Sequence, residues 1–590
     1  MTAIPAQSAA KRPALSSVVA AGIIFTTLVL TCLAPVFFNE PPAALSNLIV
    51  WIGAALLALA FILVTIRRGR ITLKLPPLLW PFIALACFTL LSSLINYPQS
   101  LITPLVGNGG LFIASTIIII FGSQLLQLKN QKIVIKLLLC LSTFTAIIAL
   151  YVAVTALVTG ILPSFISTYY PNFTATALNI TIPALAGLLA VYLKKGKLSR
   201  LYLITIPVLV VGLAAALAIS LQFIRYGQTD RPSSNASFAM LKNSFNFSPE
   251  TADADSSLIK NTFFDQLQAT FFGRGSENYS FIFSRYYQSN HYQHAWNLPL
   301  TVLPTFGLLV TVSWLWLLIM VWLKVFKPNK QSSFAIFTLA ISLNCQLFLP
   351  PSAVAIALQS VLVIFCLQSQ SGYLVLSTRD KALGKLPLKI ISYLTTILVL
   401  FGIFVAFIRV GVSYLAYYYH EQSLRQVSDL SQSNIIDYYD SSRKAVKLAP
   451  DIDIFNQFAG VANLELALRN PQQTDYLTQA IDYATKATVL GPMRTSNWLV
   501  LSHLYQDLVT VGVDTINASN WAIRAAANAI LTDPNNPNHY LMLGNLYVQQ
   551  NASDQALPLF QEAMNRLDET DPNYHQNLRA IEKLIAETNL

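Results

Sequence analysis

A chain of 590 residues that is 54% hydrophobic and 11% charged, with a mean hydropathy of +0.53, cannot be an ordinary soluble enzyme, because soluble domains carry about 25% charged residues. The formal net charge of +11 conceals a split: residues 1–417 hold 27 Lys+Arg against 8 Asp+Glu, a net of +19, and residues 418–590 hold 11 against 19, a net of −8. The sequence thus divides into a polytopic membrane part, 1–417, and an acidic part in water, 418–590.

Apolar segments of membrane-spanning length run near 15–38, 46–66, 77–95, 109–127, 133–157, 174–193, 201–223, 298–323, 333–349, 352–369 and 390–417, eleven in all. The expected fold is all-α: a membrane helix bundle with one large external loop at 224–296, followed by a helical solenoid. The five cysteines, Cys32, Cys87, Cys140, Cys345 and Cys366, fall inside apolar runs as small hydrophobes, so neither a disulfide framework nor a Cys-based metal site is indicated. The first segment has an apolar run of about 24 residues and no small-x-small cleavage site, and reads as an uncleaved anchor.

Lys and Arg gather in every other loop. Lys11 and Arg12 precede the first span, Arg67, Arg68, Arg70 and Lys74 follow the second, Lys129 and Lys132 the fourth, and Lys194, Lys195, Lys197 and Arg200 the sixth. Lys324, Lys327 and Lys330 follow the eighth, and Arg379, Lys381, Lys385 and Lys389 the tenth. Positive loops stay cytoplasmic, so the amino terminus is expected inside, and loop 224–296 and everything after the eleventh span outside. Beyond that loop, the only acidic residues before position 418 are Glu40 and Asp380, both in connecting segments. A charge at mid-bilayer costs roughly 2.5–3.5 kcal/mol and is kept mainly for relays, gating or ion coupling, so transport driven by buried carboxylates is not expected.

The external loop opens with a Ser-, Asn- and Asp-rich stretch from Tyr226 to about Ser257. Leu258, Ile259, Phe263, Phe264 and Leu267 then recur at helical spacing, which predicts an amphipathic helix at the membrane surface over 256–270. Phe272-Gly273-Arg274-Gly275-Ser276-Glu277-Asn278-Tyr279 follows, and the loop ends on His291-Tyr292-Gln293-His294-Ala295-Trp296-Asn297, with Gly307 ten residues beyond Asn297. No strand precedes the Gly-x-Gly, so a nucleotide fold is not supported.

The tail repeats itself. Pro450, Pro492, Pro534 and Pro572 each close a helical run, at spacings of 42, 42 and 38 residues. The clearest unit sets Tyr540, Leu543, Gly544 and Tyr547 on a first helix and Ala556, Phe560 and Ala563 on a second. Small residues let the helices approach while Tyr547 and Phe560 fill between them. This pattern resembles the tetratricopeptide repeat and implies a short solenoid with 573–589 as its cap. Such repeats mostly bind peptides or proteins.

The loop resembles the O-antigen ligase and polymerase superfamily of bacterial membrane glycosyltransferases, which includes the pilin O-oligosaccharyltransferases. Phe272, Gly273, Gly275, Asn278 and Tyr279 match its Phe-Gly-x-Gly-x-x-Asn-aromatic signature, and Asn297, Leu298, Leu300, Gly307 and Leu308 its second one. The sequence departs from the family where Trp296 stands at the position of its His and Thr305 at that of its Glu.

The resemblance implies transfer of a glycan from a polyprenyl-diphosphate carrier to an acceptor hydroxyl, without metal or other cofactor. The departing diphosphate needs guanidinium groups, which bind it bidentately; Arg225, Arg274 and Arg285 are the candidates. The acceptor needs a general base near neutral pH; His294 is the candidate, with Glu277 or His291 as replacements. The implied partners are the lipid-linked glycan, the bilayer and a protein or glycan acceptor on the repeats, and no nucleic acid. Two alternatives stand beside this reading: a catalytically weakened homologue acting as an envelope scaffold through its repeats, and a lipid-linked sugar flippase.

Overall fold

The computed structural model describes residues 15–37, 42–68, 72–97, 105–126, 182, 185, 270–274, 302–303, 305–326, 333–345, 353–368, 374–377, 386–427, 432–469, 474–510, 517–567 and 574–588. The expected spans 133–157 and 201–223 lie outside them, as does 174–193 apart from Ile182 and Leu185.

The other expected spans all contain helix: α1 Leu15–Phe37, α2 Pro42–Arg68, α3 Trp80–Asn96, α4 Asn108–Leu125, α5 Leu308–Phe326, α6 Ser333–Cys345, α7 Ala353–Gln368 and α8 Leu386–Val427. Four stretches among the described residues are long and apolar enough to cross a membrane: Asn47–Thr65, Pro77–Asn96, Leu308–Phe326 and Leu400–Arg425. Ser16–Thr31, Gly109–Leu125 and Ile336–Cys345 are apolar but shorter. The helices are apolar on their outer faces as well: Leu63 is 60% exposed, Ile319 57% and Leu398 71%. Close packing inside uses small residues. A Cβ on Gly53 of α2 would strike the Thr27 side chain of α1, and one on Gly122 of α4 would strike Ile364 of α7.

Among the described residues, the all-α expectation is modified by one antiparallel ladder, β1 Thr72–Leu75 with β2 Leu374–Ser377, in the register Thr72↔Ser377 to Leu75↔Leu374. A four-residue strand whose partner is some 300 positions away leaves no local signature. The ladder ties the chain entering α3 to the chain between α7 and α8.

Helix α8 is 42 residues long, roughly 60 Å at 1.5 Å per residue. The boundary at 417/418, read from the change in composition, falls inside it. Composition marks where the solvent changes. The helix continues because no Pro or Gly follows Gly411 before Val427.

The remainder is a helical-hairpin array: α9 Gln432–Leu448, α10 Asp453–Arg469, α11 Thr474–Leu490, α12 Thr495–Thr510, α13 Ala518–Thr532, α14 Pro537–Gln549, α15 Ser553–Asn565 and α16 Tyr574–Thr588. The tightest pairs are α8 with α9, α10 with α11, α12 with α13 and α14 with α15, and α16 caps the end. The last helix of the apolar bundle is thus the first helix of the tetratricopeptide-like array. A single core joins them, running from α1 through Val410 and Ala416 to Ala445, Val446, Phe455 and Ala459.

The repeat is physical as well as textual. In each unit the carbonyl of the turn proline accepts a hydrogen bond from a side chain six residues on: Asn456 Nδ2 to Pro450 at 2.9 Å, Trp498 Nε1 to Pro492 at 2.8 Å, and Tyr540 OH to Pro534 at 2.9 Å. Three unlike side chains therefore do one job, tying the turn to the helix that follows it. Burial raises the Tyr540 pKa above its usual value, so the phenol stays a donor at neutral pH.

Positions 460, 502 and 544, again 42 apart, are Gly, Ser and Gly. At each, one helix of a pair crosses the other. Ser502 donates to Ala522 O at 2.8 Å, a Cβ on Gly460 would sit 3.2 Å from Ala480 O, and one on Gly544 would penetrate the Phe560 ring. Helix propensity alone favours Ala over Gly by about 1 kcal/mol. Gly544→Ala is nevertheless expected to destabilise the array by about 1–3 kcal/mol, the usual cost of overpacking, and Gly460→Ala to change it by under about 1 kcal/mol. Thermal unfolding of the detergent-solubilised chain, followed by circular dichroism, measures the difference. Equal midpoints for the two variants would refute the crossing argument.

Candidate functional site

The two glycine signatures meet at one end of the bundle. Helix α3 runs from the ladder end, where Leu75 precedes it by a few residues, to Asn96, a rise of about 25 Å. Its last turn is polar: Ser92 is buried, and Asn96 Nδ2 lies 2.9 Å from Ser92 O. Both side chains reach the same acceptor. Asn96 Nδ2 donates to Phe272 O at 3.2 Å, and Ser92 Oγ donates to it as well. The carbonyl before Gly273 is thereby fixed by two donors from a helix some 180 residues earlier.

On the other side of the turn stands Gly307. A helical segment reaches Phe306, Gly307 N donates to Leu303 O at 3.0 Å, and α5 starts at Leu308. Between these segments Gly307 takes φ +84°, and Gly273 takes φ +70°. Both values lie in the region that side-chain-bearing residues adopt only with strain. The two glycines are also in direct contact: a Cβ on Gly273 would overlap Thr305 O and Phe306 N, and one on Gly307 would overlap Phe271 O and Gly273 N. Each is glycine for two reasons, its backbone angle and the backbone packed against it. Thr311 Oγ1 donates to Gly307 O at 2.9 Å, closing the start of α5.

Arg274 follows this junction directly and is half-buried. Phe306, just before Gly307, packs edge-on against Phe112 of α4, with ring centroids 5.8 Å apart at 84°. Arg274 thus leaves a backbone turn that α3 holds from one side and the segment entering α5 from the other.

Of the sequence-predicted site residues, the structure brings together Gly273, Arg274 and Gly307. Arg225, Gly275, Glu277, Asn278, Tyr279, Arg285, His291, His294 and Asn297 lie outside the described residues, as does Trp296. The predicted amphipathic helix over 256–270 is described only at its final residue, where 270–272 is helical. Thr305, at the position of the family's Glu, is fully buried, and its hydroxyl lies 3.4 Å from Val302 O. A side chain so placed faces the protein interior and cannot meet an acceptor from solvent.

Sequence reasoning missed Ser92 and Asn96. Their signal was the polar cluster Ser92-Ser93-x-x-Asn96 closing an apolar span, where a buried hydroxyl and amide demand partners.

No family model matches the chain, and no curated protein does. Among solved structures it is matched by yeast Tom70, at 12% identity over 84% of this chain and 96% of that one, with a TM-score of 0.20. A score that low does not indicate a shared overall arrangement, and the helical repeats described above stand on their own hydrogen bonds and packing.

Proposed function

We propose that the chain is a membrane glycosyltransferase of the O-antigen ligase and polymerase type. It transfers or polymerises a polyprenyl-diphosphate-linked glycan onto an acceptor at the outer face of a bacterial membrane, without a metal. The observation that carries this reading is the contact between Gly273 and Gly307. Two signatures 34 positions apart in sequence form one backbone junction, and it holds Arg274 at a helix-bundle end. A guanidinium there can bind the departing diphosphate bidentately and offset its developing charge. Arg225 and Arg285 would add to the same cradle, with His294 or Glu277 taking the acceptor proton.

An arrangement of eleven spans with the amino terminus inside is supported by two contacts. The ladder joins two segments that the charge pattern assigns to the cytoplasmic side. The glycine junction joins the end of the third span to the start of the eighth, both assigned to the outer side. The repeats then lie outside, where they would dock the acceptor.

The test is release of polyprenyl diphosphate from a labelled lipid-linked oligosaccharide by the purified chain, with crude envelope membranes supplying acceptor. Arg274→Ala is expected to lower the rate at least about 100-fold, the range seen when one charge-stabilising donor is removed, and His294→Ala by about 100- to 10,000-fold, the contribution of a general base. Wild-type rates in both variants would sink the assignment of these residues.

Thr305 favours a second reading. Its burial leaves the family's carboxylate position without a proton acceptor, as expected for a homologue that has lost turnover and serves as a scaffold through its repeats. That protein would bind the lipid-linked glycan in the same assay and release no diphosphate.

A further inference from the structure

Among the described residues, α3, α4, α5, α6 and α7 line a cavity of about 30 Å³. Most of its lining is apolar, but Ser115 and Trp314 face it, each only 4% exposed. Ser115 Oγ and Trp314 Nε1 are both fully buried and make no hydrogen bond within the protein. Gln359, also on the wall, gives its amide nitrogen to Ser342 Oγ at 3.1 Å, which leaves its carbonyl oxygen as an acceptor. The molecule handles the indole differently elsewhere: Trp51, 1% exposed, donates Nε1 to Leu105 O at 3.2 Å.

We propose that this cavity is a hydration site holding one or two structural water molecules between Trp314 Nε1 and Ser115 Oγ. Buried polar groups are nearly always satisfied, and where protein partners are absent an ordered water supplies them. The space suits that occupant, since about 10–15 Å³ of such volume holds one water. None of the described lining residues is ionisable, so among them an ion has no counter-charge, and a space of about 30 Å³ is too small for a lipid or sugar. The water accepts from the indole N–H and from the Ser115 hydroxyl on its two lone pairs, and gives a proton to the Gln359 carbonyl. The site also lies beneath the glycine junction: Phe112 both lines the cavity and meets Phe306.

Millisecond X-ray radiolysis of the detergent-solubilised chain makes hydroxyl radicals from bound water in place, and mass spectrometry reads oxidation residue by residue. Trp314 is expected to be oxidised at least threefold faster than Trp51, although burial alone predicts equal protection. Equal rates at the two tryptophans would mean a dry cavity and overturn the proposal. Ser115→Val, which replaces the hydroxyl by a methyl and fills the space, is expected to bring Trp314 down to the Trp51 rate. Unchanged Trp314 oxidation in a folded Ser115→Val chain would equally overturn it, by showing that the radicals arise elsewhere.

Discussion

A Gly307→Ala chain is expected to lose the glycine junction and, under the proposed function, diphosphate release with it. The left-handed backbone angle costs a non-glycine residue about 1–2 kcal/mol. The added Cβ would also overlap Phe271 O and Gly273 N, which are main-chain atoms and cannot swing aside as a side chain can. One of three parts must then move: the start of α5, the 271–273 turn, or the Ser92 and Asn96 hydrogen bonds that hold it. Together these costs come to at least about 3 kcal/mol, within the range for strain combined with overpacking. Gly273→Ala is expected to match it, and the double variant to cost less than the sum, because both act on one contact. Hydrogen exchange over 270–274 and 302–311 reads the structural effect separately from turnover. The control is the same substitution at Gly402 and Gly411 of α8, where an added Cβ meets nothing within 4 Å. There alanine is expected to be neutral or to stabilise by up to about 1 kcal/mol. If Gly307→Ala behaves like Gly411→Ala, the junction is not a strained contact.

Much of this site was legible because glycine spacing survives as a local pattern. The Phe-Gly-x-Gly run and Gly307 could each be picked out, and the structure adds that they touch. What sequence could not supply is the third party. Ser92 and Asn96 lie some 180 positions before Phe272, and nothing in a linear pattern says which carbonyl a polar helix end will satisfy. The same limit hid the ladder, whose strands are short and far apart in the chain. The 42-residue period was visible in Pro450, Pro492 and Pro534, yet its mechanism was not, since Asn456, Trp498 and Tyr540 share a hydrogen-bond acceptor and no chemical likeness. The 417/418 division is a change of composition, and helix α8 runs through it without a break.

That continuous helix gives the second large effect. Phe455 of α10 is fully buried, with Tyr417 of α8 at a centroid distance of 4.9 Å and His420 at 5.4 Å, and His420 also meets Phe458 at 4.6 Å. Phe455→Ala removes the ring around which the bundle helix and the array pack, at a cost of about 3–5 kcal/mol. In a solenoid each unit contacts only its neighbours, so the position of a cavity decides how far its effect spreads. Phe560→Ala, an equal truncation of a fully buried ring in the last pair, is expected to lose hydrogen-exchange protection over 537–588 alone. Phe455→Ala is expected to lose it on both sides of the junction, over 453–469 and over 410–425, because the core there belongs to α8 as much as to α10. Loss confined to 453–469 would show that α8 holds itself, and that the array hangs from the bundle as a separate unit. Loss on both sides means that the repeats belong to the same rigid body as α2, against which α8 packs, and so stand at a fixed distance from the glycine junction rather than on a free tether.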